Sequence, residues 1–93
     1  MAEPTDPWHV EISKTAQRSL RTLPHKFAAA IVEFITGPLA ENPYRLSKPL
    51  HAELAAWRSA RRGDYRVILQ IDDDRHLVRV GRIEHRATAY KPR

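Results

Sequence analysis

Arg58-Ser59-Ala60-Arg61-Arg62-Gly63-Asp64-Tyr65-Arg66-Val67-Ile68-Leu69-Gln70-Ile71 decides how this chain folds. From Tyr65 onward the residues alternate. Tyr65, Val67, Leu69 and Ile71 fall on one face, and Arg66, Ile68 and Gln70 on the other, which is the period of a half-buried strand. Gly63-Asp64 is a tight turn, so the run from Trp57 to Arg62 is predicted to pair antiparallel with it. Asp72-Asp73-Asp74-Arg75 makes a second turn. Leu77 to about Glu84 returns as the next hairpin partner, and a last short segment runs from His85 to Tyr90.

The residues before this stretch carry helical spacing. Trp8-His9-Val10-Glu11-Ile12 alternates as a strand. Ser13 can then cap a helix starting at Lys14. Ala16, Leu20 and Leu23 lie on one face of that helix. Pro24 ends it and suits the first turn of a second helix, whose apolar stripe is Phe27, Ile31, Phe34 and Ile35. Gly37-Pro38 breaks the pattern, and with Pro43 and Pro49 it predicts an irregular stretch over 38–53. The order β-α-α-β-β-β defines an α+β fold, a helical hairpin packed on one face of a small, mainly antiparallel sheet. The sheet's other face is left free, and it carries arginines. With 93 residues the chain is expected to form a single domain over 1–93, with residues 1–7 as a flexible N-terminal arm.

Composition removes several classes of function. There is no cysteine, so disulfide scaffolds, thiol catalysis and cysteine zinc sites are excluded. No window approaches the roughly 18 apolar residues of a membrane span. The polar, acidic start is unlike a signal peptide, which makes a cytoplasmic address the expectation, with no membrane partner. His9, His25, His51, His76 and His85 form no metal-ligand motif. A phosphate-binding glycine loop and a GxSxG elbow are both lacking. Neither a metal nor another cofactor is therefore expected.

The charge is uneven. The chain carries +5 overall. Residues 1–57 hold six basic and six acidic side chains, whereas residues 58–93 hold ten basic side chains, nine of them Arg, against five acidic ones. Concentrated guanidinium charge destabilises a fold unless anions relieve it, and phosphate suits the planar fork best. Gly63-Asp64 brings several arginines of adjacent strands close together. Asp64 and Glu84 are their candidate neutralising partners within the chain. The run Arg82-Ile83-Glu84-His85-Arg86-Ala87-Thr88-Ala89-Tyr90 adds an imidazole, a phenol and further guanidiniums. Imidazole exchanges a proton near neutral pH, guanidinium holds charge developing on phosphorus, and a phenol stacks on a base or donates a hydrogen bond.

Taken together, these residues resemble the RelE branch of the RelE/ParE toxin superfamily of bacterial toxin–antitoxin modules. The resemblance spans about Trp8 to Tyr90. It is carried by Gly37-Pro38-Leu39-Ala40-Glu41-Asn42-Pro43, by Leu46-Ser47-Lys48-Pro49-Leu50, by Ser59 to Val67, and by His85-Arg86 followed by Tyr90. It implies the same fold and a ribosome-dependent endoribonuclease that cuts mRNA in the decoding site. It further implies attack by the ribose 2′-OH on the adjacent phosphate without metal, leaving a 2′,3′-cyclic phosphate and a free 5′-OH.

By the resemblance Arg66 contacts the scissile phosphate and Arg61 adds phosphate binding. Either Arg82 or Arg86 is the C-terminal catalytic arginine, and the spacing leaves both open. Tyr90 stacks on or orients the substrate, and His85 is a candidate general acid or base. Lys48, Arg58 and Arg62 are candidate RNA- and ribosome-binding residues. The implied partners are a cognate antitoxin, ribosomal RNA and mRNA, with operator DNA reached only through the antitoxin complex. The ParE branch, a non-enzymatic inhibitor of DNA gyrase, shares the fold. Two departures stand out. The strand before the Gly63-Asp64 turn has no Lys, and Lys48-Pro49 is followed by Leu50, with Glu53 further on. The general base is thus left open.

Overall fold

The computed structural model describes residues 7–85. Arg86, Tyr90 and nearly all of the predicted arm lie outside the described residues. The elements are β1 (His9–Ile12), α1 (Lys14–Thr22), α2 (His25–Thr36), α3 (Pro38–Glu41), β2 (Lys48–Pro49), β3 (Arg58–Arg62), β4 (Tyr65–Asp72) and β5 (Leu77–His85), with a 3₁₀ turn at Ala52–Leu54 before β3. The five strands form one sheet in the order β1-β5-β4-β3-β2. Three neighbouring pairs are antiparallel and β1–β5 is parallel, so the sheet is mixed.

The helices form where expected. Ser13 is the N-cap of α1 and accepts from the Ala16 amide at 3.0 Å. Its hydroxyl also donates to the Gly81 carbonyl at 2.7 Å, so one side chain both starts α1 and fastens it to β5. Pro24 is the N-cap of α2, two residues after α1 ends. Ala16, Ile31 and Ile35 from the helices meet Ala60, Val67, Leu69, Val78, Val80 and Ile83 from the sheet in one core. Phe27 departs from its expected place in that core, being 42% exposed.

The stretch over 38–53 corrects the irregular reading. Pro38 opens the short α3, whose Leu39 and Ala40 are buried, and Lys48–Pro49 adds a two-residue edge strand on β3. Proline hid both elements. It is tolerated in the first turn of a helix and on a sheet edge, so it breaks the sequence pattern without breaking the structure.

Two glycines set the sheet's geometry. Gly63 takes φ +62° in the β3–β4 turn, a left-handed conformation that favours glycine. Gly81 lies at an irregularity in the β4–β5 pairing, where Leu69 pairs with Val80 but Ile68 pairs with Arg82. The extra residue reverses which face the following side chains take. A Cβ at Gly81 would lie 2.6 Å from the Trp57 ring, so the bulge needs a residue without one.

Leu69→Ala should remove about 2–5 kcal/mol of stability by leaving a cavity among α2, β4 and β5. Gly81→Ala should remove about 1–3 kcal/mol by forcing Trp57 aside. Denaturant unfolding checks both, and a shift of tryptophan emission in the folded state should accompany the second variant alone.

Candidate functional site

Register decides which charges meet. Arg61 stands directly opposite Arg66, and Arg66 directly opposite Glu84. The next row holds Lys48, Ser59, Ile68 and Arg82. Directly paired residues share a face, so Lys48, Arg61, Arg66 and Arg82 all belong to the face turned away from the helices. This is the arginine-bearing free face the sequence predicts.

Glu84 organises it. Its Oε1 accepts from Arg66 Nη2 at 2.8 Å, and its Oε2 lies 2.6 Å from Arg82 Nη2. One carboxylate thus fixes two guanidiniums, as the sequence allowed. Asp64 forms no ion pair among the described residues. The Arg66 and Glu84 side chains are only 26% and 19% exposed, so salt screens them less than an open surface pair. Among the described residues no carboxylate pairs with Arg61 or Lys48. These two, with Ser59, His51 and Arg66, line a groove of about 470 Å³. Arg66, directed by Glu84, stands beside the exposed cations Arg61 and Lys48 at this groove, a combination suited to binding phosphate.

Other candidate residues stand elsewhere. Arg62, Tyr65 and His85 form a row on the helix-facing side. The Tyr65 and His85 rings meet edge-on at 4.8 Å, and Phe27 lies 6.0 Å from Tyr65. Arg62 and His85 border a separate cavity of about 450 Å³ with Lys26 and Phe27. The sequence groups His85 with Arg66, whereas the structure sets the sheet between them.

Arg58 also lies off the arginine face, in register with the core residue Leu69. Its Nε donates to Ser47 Oγ at 2.7 Å and its Nη2 to the Ser47 carbonyl at 3.0 Å, while the guanidinium sits 5.0 Å over the Tyr44 ring. Ser47 is buried and donates to the Pro43 carbonyl. The Tyr44 hydroxyl donates to Asp73 at 2.7 Å; that bond, with burial and the Asp73 charge, raises its pKa above the ordinary value against the opposing pull of Arg58. Arg58 therefore fastens the 43–47 loop. Arg86 and Tyr90 lie outside the described residues. No group of three or more His, Asp or Glu arranged to hold a metal ion occurs among the described residues, and no described helix is long and apolar enough to cross a membrane.

The sequence reading missed His51. It stands three residues after Lys48, and its place at the groove depends on the two-residue edge strand at Lys48–Pro49, which proline hides in the sequence.

The helical hairpin under a five-stranded sheet is shared with a solved structure, and the sequence matches a known family. The family model described as "ParE toxin of type II toxin-antitoxin system, parDE" matches residues 10–90, and the chain belongs to that family. It is 53% identical over 85 residues to Toxin RelE of Mycobacterium tuberculosis, covering 91% of this chain and 88% of the relative. It is 46% identical over 85 residues to Toxin RelG of the same organism, covering 91% and 98%. A chain in the crystal structure of the toxin–antitoxin complex RelBE2 from M. tuberculosis superposes with a TM-score of 0.85 at 44% identity, covering 92% of this chain and 99% of that one. The protein is a RelE-type toxin of a type II toxin–antitoxin system.

Glu84→Gln should leave Arg61, Arg66 and Arg82 repelling one another. In dilute chloride its unfolding free energy should fall by about 1 kcal/mol, the scale of a partly exposed ion pair. Sulfate or inorganic phosphate should restore most of the loss by binding the native state. Urea titrations in matched ionic strengths of chloride and sulfate check this, and a deficit indifferent to the anion would assign Glu84 to packing alone.

Proposed function

We propose that this toxin is a ribosome-dependent endoribonuclease that cuts mRNA in the decoding site, with a cognate antitoxin as its inhibitor. The observation that carries the reading is the opposed pair Arg61–Arg66 on the free face, with Lys48 and Arg82 beside it and one carboxylate among them. Like charges placed directly opposite destabilise a sheet, so the arrangement is understandable as a site for an external anion. The scissile phosphate takes that place. Arg66 and Arg61 hold its non-bridging oxygens, and Glu84 keeps the Arg66 and Arg82 forks directed toward it.

Attack is by the ribose 2′-OH on the adjacent phosphate. Negative charge grows on the phosphoryl oxygens in the transition state, where fixed guanidiniums act most strongly. The guanidiniums fill the role a metal takes elsewhere, so no metal or other cofactor is assigned. Arg82 or Arg86 is the C-terminal catalytic arginine that the sequence resemblance implies, Tyr90 stacks on or orients the substrate, and Arg62 is assigned to ribosomal RNA. The toxin acts in the cytoplasm, and operator DNA is engaged only through the antitoxin complex.

A second reading is favoured by the family model's own description as a ParE toxin. On that reading the same fold inhibits DNA gyrase without catalysis. Induction without antitoxin separates the two: the nuclease reading expects arrest of protein synthesis with new mRNA 5′ ends, and the rival expects blocked replication with translation intact.

Arg66→Ala should slow single-turnover cleavage on programmed ribosomes by about 10²–10³-fold with ribosome binding nearly unchanged. Arg66→Lys should recover only part, because a point charge does not replace a two-pronged donor. A 2′-deoxy nucleotide at the cut site should resist, and chelators at levels that leave the ribosome intact should have no effect. Parental rates from Arg66→Ala would remove Arg66 from the site.

A further inference from the structure

We infer that His51 is the general base of the cleavage, an inference that rests on the nuclease reading above. Attack by a 2′-OH requires a group to receive its proton. Arg61 and Arg66 are unsuited, since a guanidinium does not give up its proton at neutral pH. Glu84 is engaged through both oxygens with Arg66 and Arg82. His85 belongs to the helix-facing row, on the other side of the sheet from Arg66. His51 lines the same groove as Lys48, Ser59, Arg61 and Arg66 and is exposed to it. An imidazole is the side chain best matched to proton exchange near neutral pH.

His51 is also held in place. The Leu50 amide donates to the Trp57 carbonyl at 2.9 Å, which closes the connection between β2 and β3. The His51 carbonyl accepts from the Leu54 amide at 2.9 Å, and the Leu54 carbonyl from the Trp57 amide at 2.9 Å. The residue thus begins a closed turn directly after the edge strand. The charged groups that share its groove are Lys48 from β2, Arg61 from β3 and Arg66 from β4, and its own turn carries the exposed Glu53.

The step balances. Neutral His51 takes the 2′-OH proton as O2′ bonds to phosphorus. The bond from phosphorus to O5′ breaks, O5′ takes a proton from water, and the imidazolium returns its proton to solvent. The products are a 2′,3′-cyclic phosphate and a 5′-OH.

Single-turnover cleavage on programmed ribosomes across the pH range tests this. The wild-type rate should rise with pH through the imidazole range and then level. His51→Gln should be slower by about 10²–10⁴-fold and lose that rise, with ribosome affinity unchanged. His51→Arg places a fixed positive charge there but takes no proton, so it should be equally slow. A substrate with sulfur replacing the leaving O5′ needs no acid, and the His51→Gln deficit should persist on it. A parental rate or pH profile in His51→Gln, rescue by Arg, or recovery on the sulfur substrate overturns the inference while leaving the nuclease reading intact. A wild-type protein that leaves programmed ribosomes uncut overturns that reading first.

Discussion

The bulge at Gly81 is the constraint on which the arginine face depends. Val78 and Val80 point into the core, and strict alternation would send Arg82 and Glu84 after them. One extra residue reverses the parity, so Ile83 enters the core and Arg82 and Glu84 emerge beside Arg66. The bulge is held from two sides. Ser13 donates to the Gly81 carbonyl from the start of α1, and Trp57 occupies the space a Cβ would take. Helix capping, sheet register and placement of the charged groups are therefore one coupled arrangement.

That arrangement has an electrostatic consequence. Arg61 and Arg66 face each other across β3 and β4, and Glu84 pairs with Arg66 from the far side. A sheet optimised for stability would not place two guanidiniums there. The core beneath offsets the repulsion: Ala60, Val67 and Leu69 are fully buried on the same two strands. The rigid element carries the repelling charges, and so holds them where a mobile loop would let them separate.

Most of the fold could be read from the chain because its signals are local. The alternation of Tyr65 to Ile71, the Ser13 cap and the Pro24 break each act within a few residues. What escaped needs contacts distant in sequence. The parallel pairing of β1 with β5 joins residues nearly seventy positions apart, and nothing local announces it. β2 is only two residues long and contains proline. The candidate site was legible as a composition, arginines around a Gly-Asp turn, but not as a geometry. Placing Arg62 and His85 on the opposite face from Arg61 and Arg66 requires the register, and Arg58 could not be separated from the set without seeing Ser47 and Tyr44 beneath it.

The shape of the free face bears on how the proposed reaction is organised. α1 and α2 cover one side of the sheet, while the groove on the other side is open to solvent. An open groove can bind a phosphate and supply charge, but it has few walls to force a ribose into line with its own 3′ phosphate. In-line placement of reacting atoms is among the largest contributions available to catalysis. On the proposed reading that contribution comes from the ribosome, which presents the codon in a set conformation. The toxin then contributes the guanidiniums and a proton acceptor. On that same reading a small protein with a basic face is sufficient for such a division of labour, and free RNA, lacking the imposed geometry, is expected to be a poor substrate for it.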